Sequence, residues 1–181
     1  MRIVESGVRN MEAPHLDVLV IGAGLSGICA GYYLQEECPD KSFAILEGRE
    51  SLGGTWDLFQ YPGIRSDSDM HTLGFSFRPW PDPQAIADGP SILSYLHDTA
   101  EETGLDDKIR YNNMVQTVRW STEDTCWTVV AEHPDTGEER VYTCNFLWFC
   151  TGYYRYDRGH FPDFPGAEDF AGELVHPQFW T

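Results

Sequence analysis

The sequence predicts an α/β fold: a parallel sheet that begins with a β-α-β unit and later takes in an antiparallel meander. Three observations predict it. A short β-branched run, Leu16–Ile21, is followed at once by a glycine-rich turn and a helix-length segment. A second apolar run, Ser42–Glu47, closes that unit after about 30 residues. Further on, Met114–Trp120 and Cys126–Ala131 are joined by Ser121-Thr-Glu-Asp124, a turn between two antiparallel strands.

The elements follow in order. Leu16–Ile21 is flanked by polar residues and glycine and reads as a strand buried on both faces. Leu25–Glu37 reads as a helix packed closely on it, and Ser42–Glu47 as the parallel partner strand, reached by a right-handed crossover. Ser51–Pro90 is rich in Gly, Pro, Asp and aromatics and reads as long ordered loops with short helical turns. Ser91–Thr103 places Ile92, Leu93, Leu96 and Ala100 on one helical face, and Gly104 stops it. After the two meander strands, Pro134–Glu138 turns the chain and Arg140–Cys150 forms a further strand ending at Thr151-Gly152. From Tyr153 on, Gly, Pro and aromatics dominate without periodicity, as in a connector.

With 181 residues, the chain can form one domain with a substantial core. It carries 12 Lys+Arg against 29 Asp+Glu, a formal net charge of −17, which repels phosphate backbones and anionic lipid. Nucleic acid is thereby excluded as a partner, although a local pocket for a small anion is not. The five cysteines, 29, 38, 126, 144 and 150, have no CxxC or zinc spacing, so no metal site is expected and a reduced, cytoplasmic setting fits. The other histidines, 15, 71, 97, 133 and 160, match no ligand spacing. Val18–Leu34 lacks charge but holds four glycines, and a buried strand with a glycine-opened helix explains it better than a membrane span. Residues 1–14 read as an N-terminal extension without the features of a signal peptide.

Gly22-Ala-Gly24-Leu25-Ser26-Gly27 is a GxGxxG lying between the first strand and the first helix. That context marks a Rossmann-like dinucleotide cradle. Gly22 allows the tight turn, Gly24 lets a pyrophosphate reach the backbone, and Gly27 lets helix and strand pack closely. Helix N-terminal amides, Leu25 and Ser26 among them, then hold the anion without a basic patch. Glu47, twenty residues after Gly27, is placed to accept from both ribose hydroxyls and to repel a 2′-phosphate, which favours FAD or NAD over NADP at this first site.

A second loop follows: Gly53-Gly54-Thr55-Trp56, then Tyr61-Pro62-Gly63-Ile64-Arg65-Ser66-Asp67. It fits [A/G]GxWxxxx[F/Y]P[G/M]xxxD. Near the other end, Phe170, Gly172, His176 and Trp180 fit FxGxxxHxxxW, although Thr181 stands where Pro or Asp is usual. With these patterns the chain resembles class B flavin monooxygenases of the Baeyer–Villiger type, and Gly53–Trp80 is most similar to the mycobacterial ethionamide-activating enzymes.

The resemblance implies an FAD cofactor, reduced by NADPH, and oxygenation by a C4a-peroxyflavin of ketones or of soft nitrogen or sulfur centres. Partners would be a small organic substrate and O2. It implies FAD contacts at Gly54, Thr55, Trp56, Asp67, Val115, Thr151 and Gly152. Asp67 would lie beside the reactive face of the flavin as a positioning and charge-tuning group. Arg65 would meet nicotinamide-cofactor or active-site anions, and the Tyr61-Pro62-Gly63 turn would aim both at one place; a local Arg65–Asp67 ion pair is the alternative. His176 and Trp180 would belong to a linker that couples domain movement to chemistry. The family's second GxGxxG is missing from this sequence. Residues 15–159 are thus expected to form the FAD domain and 160–181 a connector toward an absent NADPH domain, the whole C-terminally truncated relative to the family. Exposed apolar surface near Trp148, Phe161, Phe164 and Trp180 would then favour self-association. Two other readings stay open: a non-catalytic dinucleotide-binding module, and an NAD-dependent dehydrogenase, for which a GGTW loop has no use.

Overall fold

The structure is a computed structural model describing residues 13–180. The expectation for the N-terminal extension falls almost wholly outside these residues. Only Ala13 and Pro14 of it are described, and the Pro14 carbonyl already accepts from Thr143 N at 3.1 Å.

One six-stranded sheet organises the chain. Strand β1 (His15–Ile21) is central. On one side it pairs in parallel with β2 (Phe43–Leu46), which pairs in parallel with β3 (Ile109–Arg110). On its other side β1 pairs in parallel with β6 (Glu139–Phe149). Beyond β6 the sheet is antiparallel, through β5 (Cys126–Glu132) to β4 (Met114–Ser121), giving the order β3-β2-β1-β6-β5-β4. The meander is therefore no separate appendage. The eleven-residue β6 pairs with β5 through its first half and with β1 through its second, welding the two halves together.

Burial explains the β1 composition. Val18 and Val20, with Ile45 of β2, enter a core under helix α1 (Leu25–Glu37) and helix α4 (Gly89–Glu102), meeting Ile28, Leu34, Ile92 and Leu96. Leu19, with Ala44 and Leu46, enters a second core shared with Val129, Ala131, Tyr142 and Cys144 of the meander. A strand covered on both faces must be apolar at successive positions. Its one acid, Asp17, sits at the strand mouth, where Oδ2 accepts from Ser42 N at 2.9 Å and Ser42 Oγ at 2.8 Å.

Two elements differ from expectation. Helix α4 starts at Gly89 rather than Ser91. Asp88 caps it, Oδ1 accepting from Ser91 N at 2.8 Å, and Pro90 fits in a first turn whose amides need no intrahelical acceptor. Strand β3 was not anticipated, because two residues carry no periodicity. It is set by the 3-10 turn Leu105–Lys108, which the left-handed Gly104 introduces. The stretch 51–88 is loop with two short helices, α2 (Thr55–Leu58) and α3 (Met70–Leu73). Residues 160–180 carry only two 3-10 turns. No described helix is long and apolar enough to cross a membrane.

Candidate functional site

Strand order reverses at β1, whose neighbours β2 and β6 lead away in opposite directions. In open α/β sheets such a switch point makes a crevice outside the carboxyl ends of the strands. Here a cavity of about 750 Å³ opens there, against Ile21 of β1, Leu46 of β2 and Phe149 of β6.

The glycines shape it. Gly22 has φ +103°, a conformation side chains rarely adopt, and a Cβ there would collide with the Cys150 carbonyl. A Cβ on Gly27 would collide with the Gly22 carbonyl, so only glycine lets α1 seat against the turn. Helix α1 begins after Gly24 with no side-chain cap and no acid in its first turn, which leaves its N-terminal amides available to an anion. The second glycine loop docks onto the first: Gly53 N donates to the Ala23 carbonyl at 3.0 Å.

Glu47, 7% exposed, lines the cavity. Its Oε2 accepts from Ala23 N at 2.8 Å and its Oε1 from Arg49 N at 3.0 Å. Each oxygen keeps lone-pair capacity for a ligand hydroxyl. The Glu47 backbone is held by Arg110 and Asn113, each at 3.0 Å or less. Asn113 is held in turn by Tyr142, whose hydroxyl donates to Asn113 Oδ1 at 2.8 Å.

Of the residues singled out in the sequence, Gly22, Gly24, Leu25, Ser26, Glu47, Gly54, Thr55, Trp56, Asp67, Val115, Thr151 and Gly152 all line this one cavity, while Gly27 lies behind it as packing. Tyr61-Pro62-Gly63-Ile64 is a tight turn, with Ile64 N donating to the Tyr61 carbonyl at 3.2 Å and Gly63 at φ +84°, the type II pattern.

That turn does not aim Arg65 and Asp67 at a common place. Asp67 lines the cavity and Arg65 does not. The Arg65 backbone is bridged to Asp88, and its Nε turns back to the Gly63 carbonyl at 3.4 Å. Its charge lies near the Asp88 carboxylate. No Arg65–Asp67 ion pair forms among the described residues either. Phe170, Gly172, His176 and Trp180 stand apart from the cavity. Gly172 gives room to the folded-back Phe170 ring, and His176 Nδ1 accepts from Gln178 N at 3.1 Å, capping the turn before Trp180.

Comparison with known proteins agrees with this geometry. Residues 20–88 match the family described as NAD(P)-binding Rossmann-like domain. Over 166 residues the chain is 58% identical to the putative FAD-containing monooxygenase MymA of Mycobacterium tuberculosis, covering 92% of this chain and 34% of that protein. The chain is thus similar to FAD-containing monooxygenases over about a third of their length. It is 56% identical over 167 residues to the FAD-containing monooxygenase EthA of the same species, again covering 92% of this chain and 34% of the relative. Among solved structures, an oxidized steroid monooxygenase bound to NADP superposes with TM-score 0.74 at 28% identity, covering 92% of this chain and 31% of that one. A cyclohexanone-bound cyclohexanone monooxygenase gives 0.76 at 28%, covering 93% and 32%. The chain thus spans about one third of the length of the relatives it matches.

Sequence reasoning missed several residues that line this cavity. Arg49 is the most consequential: its Nη2 pairs with Asp57 Oδ2 at 2.6 Å, and its guanidinium lies 5.7 Å from the centre of the Tyr156 ring. Its spacing from Glu47, two residues on in the same loop, was the available signal. Tyr153, Tyr154 and Tyr156 also line the cavity. They directly follow Thr151-Gly152 but read as connector. Burial, with Glu47 and Asp57 nearby, pushes the Tyr156 hydroxyl above its usual pKa, so Tyr156 stays neutral at physiological pH.

Proposed function

We propose that this chain is the FAD-binding part of an NADPH- and O2-dependent flavin monooxygenase that oxygenates ketones or soft nitrogen or sulfur centres. The observation that carries the reading is the docking of the Gly53-Gly54-Thr55-Trp56 loop onto the GxGxxG turn within one cavity. A single-cradle nucleotide site has no need of that second loop.

The residues fit a flavin dinucleotide. The α1 amides and the bare backbones of Gly24 and Gly54 would take the pyrophosphate. Glu47 would accept from ribose hydroxyls, which its negative charge restricts to an unphosphorylated ribose. Val115 and the Thr151-Gly152 turn would complete the binding surface. Trp56 would wall off water. FAD, once bound and reduced, supplies the electrons that activate O2. Asp67, exposed at the cavity, would set the local charge beside the reacting end. His176 and Trp180 would act outside the cavity, in a linker whose movement conditions chemistry. Exposed Trp148, Phe161, Phe164 and Trp180 form surface through which the chain would self-associate, a tendency that sedimentation velocity measures.

The test is the visible spectrum after FAD loading and desalting, followed by NADPH. Partial retention of the flavin bands, as weak binding gives, with little NADPH oxidation by this chain alone, is the expected result. Flavin lost from a folded protein, together with retention of NAD, would favour the dehydrogenase-like reading.

A further inference from the structure

Tyr153–Tyr156 forms one wall of the cavity, yet among the described residues no backbone-to-backbone hydrogen bond secures it. Phe59 packs against the Tyr154 ring, and two polar side chains from distant parts of the sequence hold the Arg155–Tyr156 end. From inside, Arg49 packs its guanidinium against the Tyr156 ring while Asp57 fixes the guanidinium's other edge. Arg49 Nη1 is buried without a hydrogen-bond partner, so the ring face is its remaining favourable contact. From outside, Gln178 Nε2 donates to the Arg155 carbonyl at 2.7 Å and to the Tyr156 carbonyl at 3.3 Å. Gln178 lies inside the Phe170–Trp180 motif, two residues after His176, whose ring caps that turn by accepting from the Gln178 amide.

We propose that Gln178 is a positioning residue for the dinucleotide cavity: with Arg49 it latches the Tyr153–Tyr156 wall, so that the state of the C-terminal motif sets how firmly the cavity holds its ligand. The claim rests on the cavity being the FAD site. Gln178 does not itself line the cavity and acts through two carbonyls of the wall. A motif that shifts by a few ångströms would release both hydrogen bonds and leave the wall held by Arg49 at Tyr156 and by Phe59, packed edge-on against Tyr154 at 4.9 Å. Ligand residence would then depend on whatever moves the motif.

The experiment uses the 181-residue chain and two variants of half-buried Gln178. Gln178→Ala removes the donor, and Gln178→Glu keeps the shape but turns an acceptor toward the two carbonyls. Trypsin cleaves after Arg155, whose own carbonyl accepts from Gln178, and cleavage under native conditions reads the open population of that segment. Both variants are expected to be cut there about three- to tenfold faster than wild type, the range one lost hydrogen bond covers. FAD release, followed by flavin fluorescence on dilution, should quicken by a similar factor. Gln178→Lys, which keeps an N–H donor within reach but adds a trypsin site of its own, is read by FAD release alone and should recover most of that effect. Unchanged cleavage at Arg155 in the Ala and Glu variants overturns the latch. Faster cleavage without faster FAD release overturns the positioning role. If wild type binds no FAD, the flavin reading fails on its own, while the trypsin comparison still decides whether the latch exists.

Discussion

Gly24 and Gly54 face each other at the cavity so closely that a Cβ on Gly54 would stand 3.1 Å from the Gly24 Cα. One belongs to the turn after β1, the other to the loop after β2. Their approach brings two sequence motifs thirty residues apart onto one ligand path. A side chain on either would fill the space where the backbones can meet a pyrophosphate.

Within α1, two glycines separate packing from tolerance. Gly27→Ala drives a methyl into the fixed Gly22 carbonyl and should cost about 3 kcal/mol or more. Gly31→Ala meets only the flexible ends of Ile45, at 2.8 Å, and Leu105, at 3.0 Å. The gain in helix propensity offsets that crowding, so the net change should stay within about 1 kcal/mol. Urea unfolding followed by circular dichroism compares the two.

Glu47→Ala leaves the Ala23 and Arg49 amides without their acceptor. A loss of about 2 kcal/mol in stability is expected. Glu47→Gln keeps acceptor capacity at one oxygen, so it should lose less stability but still weaken binding of ligands that offer free ribose hydroxyls. Calorimetric titration with ADP, alongside thermal melts, separates the two effects.

The thiols should divide by burial. Cys38 is exposed, whereas burial pushes Cys144 up to about 11 and raises Cys29 and Cys150. At pH 8, iodoacetamide followed by mass spectrometry should mark Cys38 first and Cys144 only on unfolding. Because the folded pKa of Cys144 lies above the unfolded value of about 8.5, its contribution to stability is complete below that pH. It is lost as pH rises toward 11.

Asp88→Ala should cost about 1 kcal/mol through loss of the α4 cap. The hydrogen bond from the Ser91 amide holds the Asp88 carboxyl below its usual value. Its stabilisation is therefore present above the unfolded pKa of about 3.9 and disappears as pH falls through the lower folded value. Acid titration of helicity in wild type and variant should converge below that point.

Local rules carried much of this structure. The β-α-β unit, the meander and the cradle were legible because each is written in a run of neighbouring residues: the β1 apolar run, the strand alternation, the GxGxxG. Glu47 was legible through its spacing from Gly27. Contacts closed by distant segments were not. Arg49 meets Tyr156 across more than a hundred positions, and nothing local to either residue records it. Arg65 misled for a related reason: the Tyr61-Pro62-Gly63 turn, read by itself, aims Arg65 and Asp67 at one place, whereas the bridge to distant Asp88 draws Arg65 away. Strand β3 exists because β2 offers it a free edge, which two residues cannot announce.

The central claim is that one cavity, built from two glycine loops and Glu47, binds FAD. Calorimetric titration of the purified chain with FAD, repeated in excess ADP, tests it most directly. The account predicts saturable one-to-one binding, weak in this chain alone, that ADP competes away. A folded chain giving no saturable heat with FAD, or FAD binding that ADP leaves untouched, would contradict it.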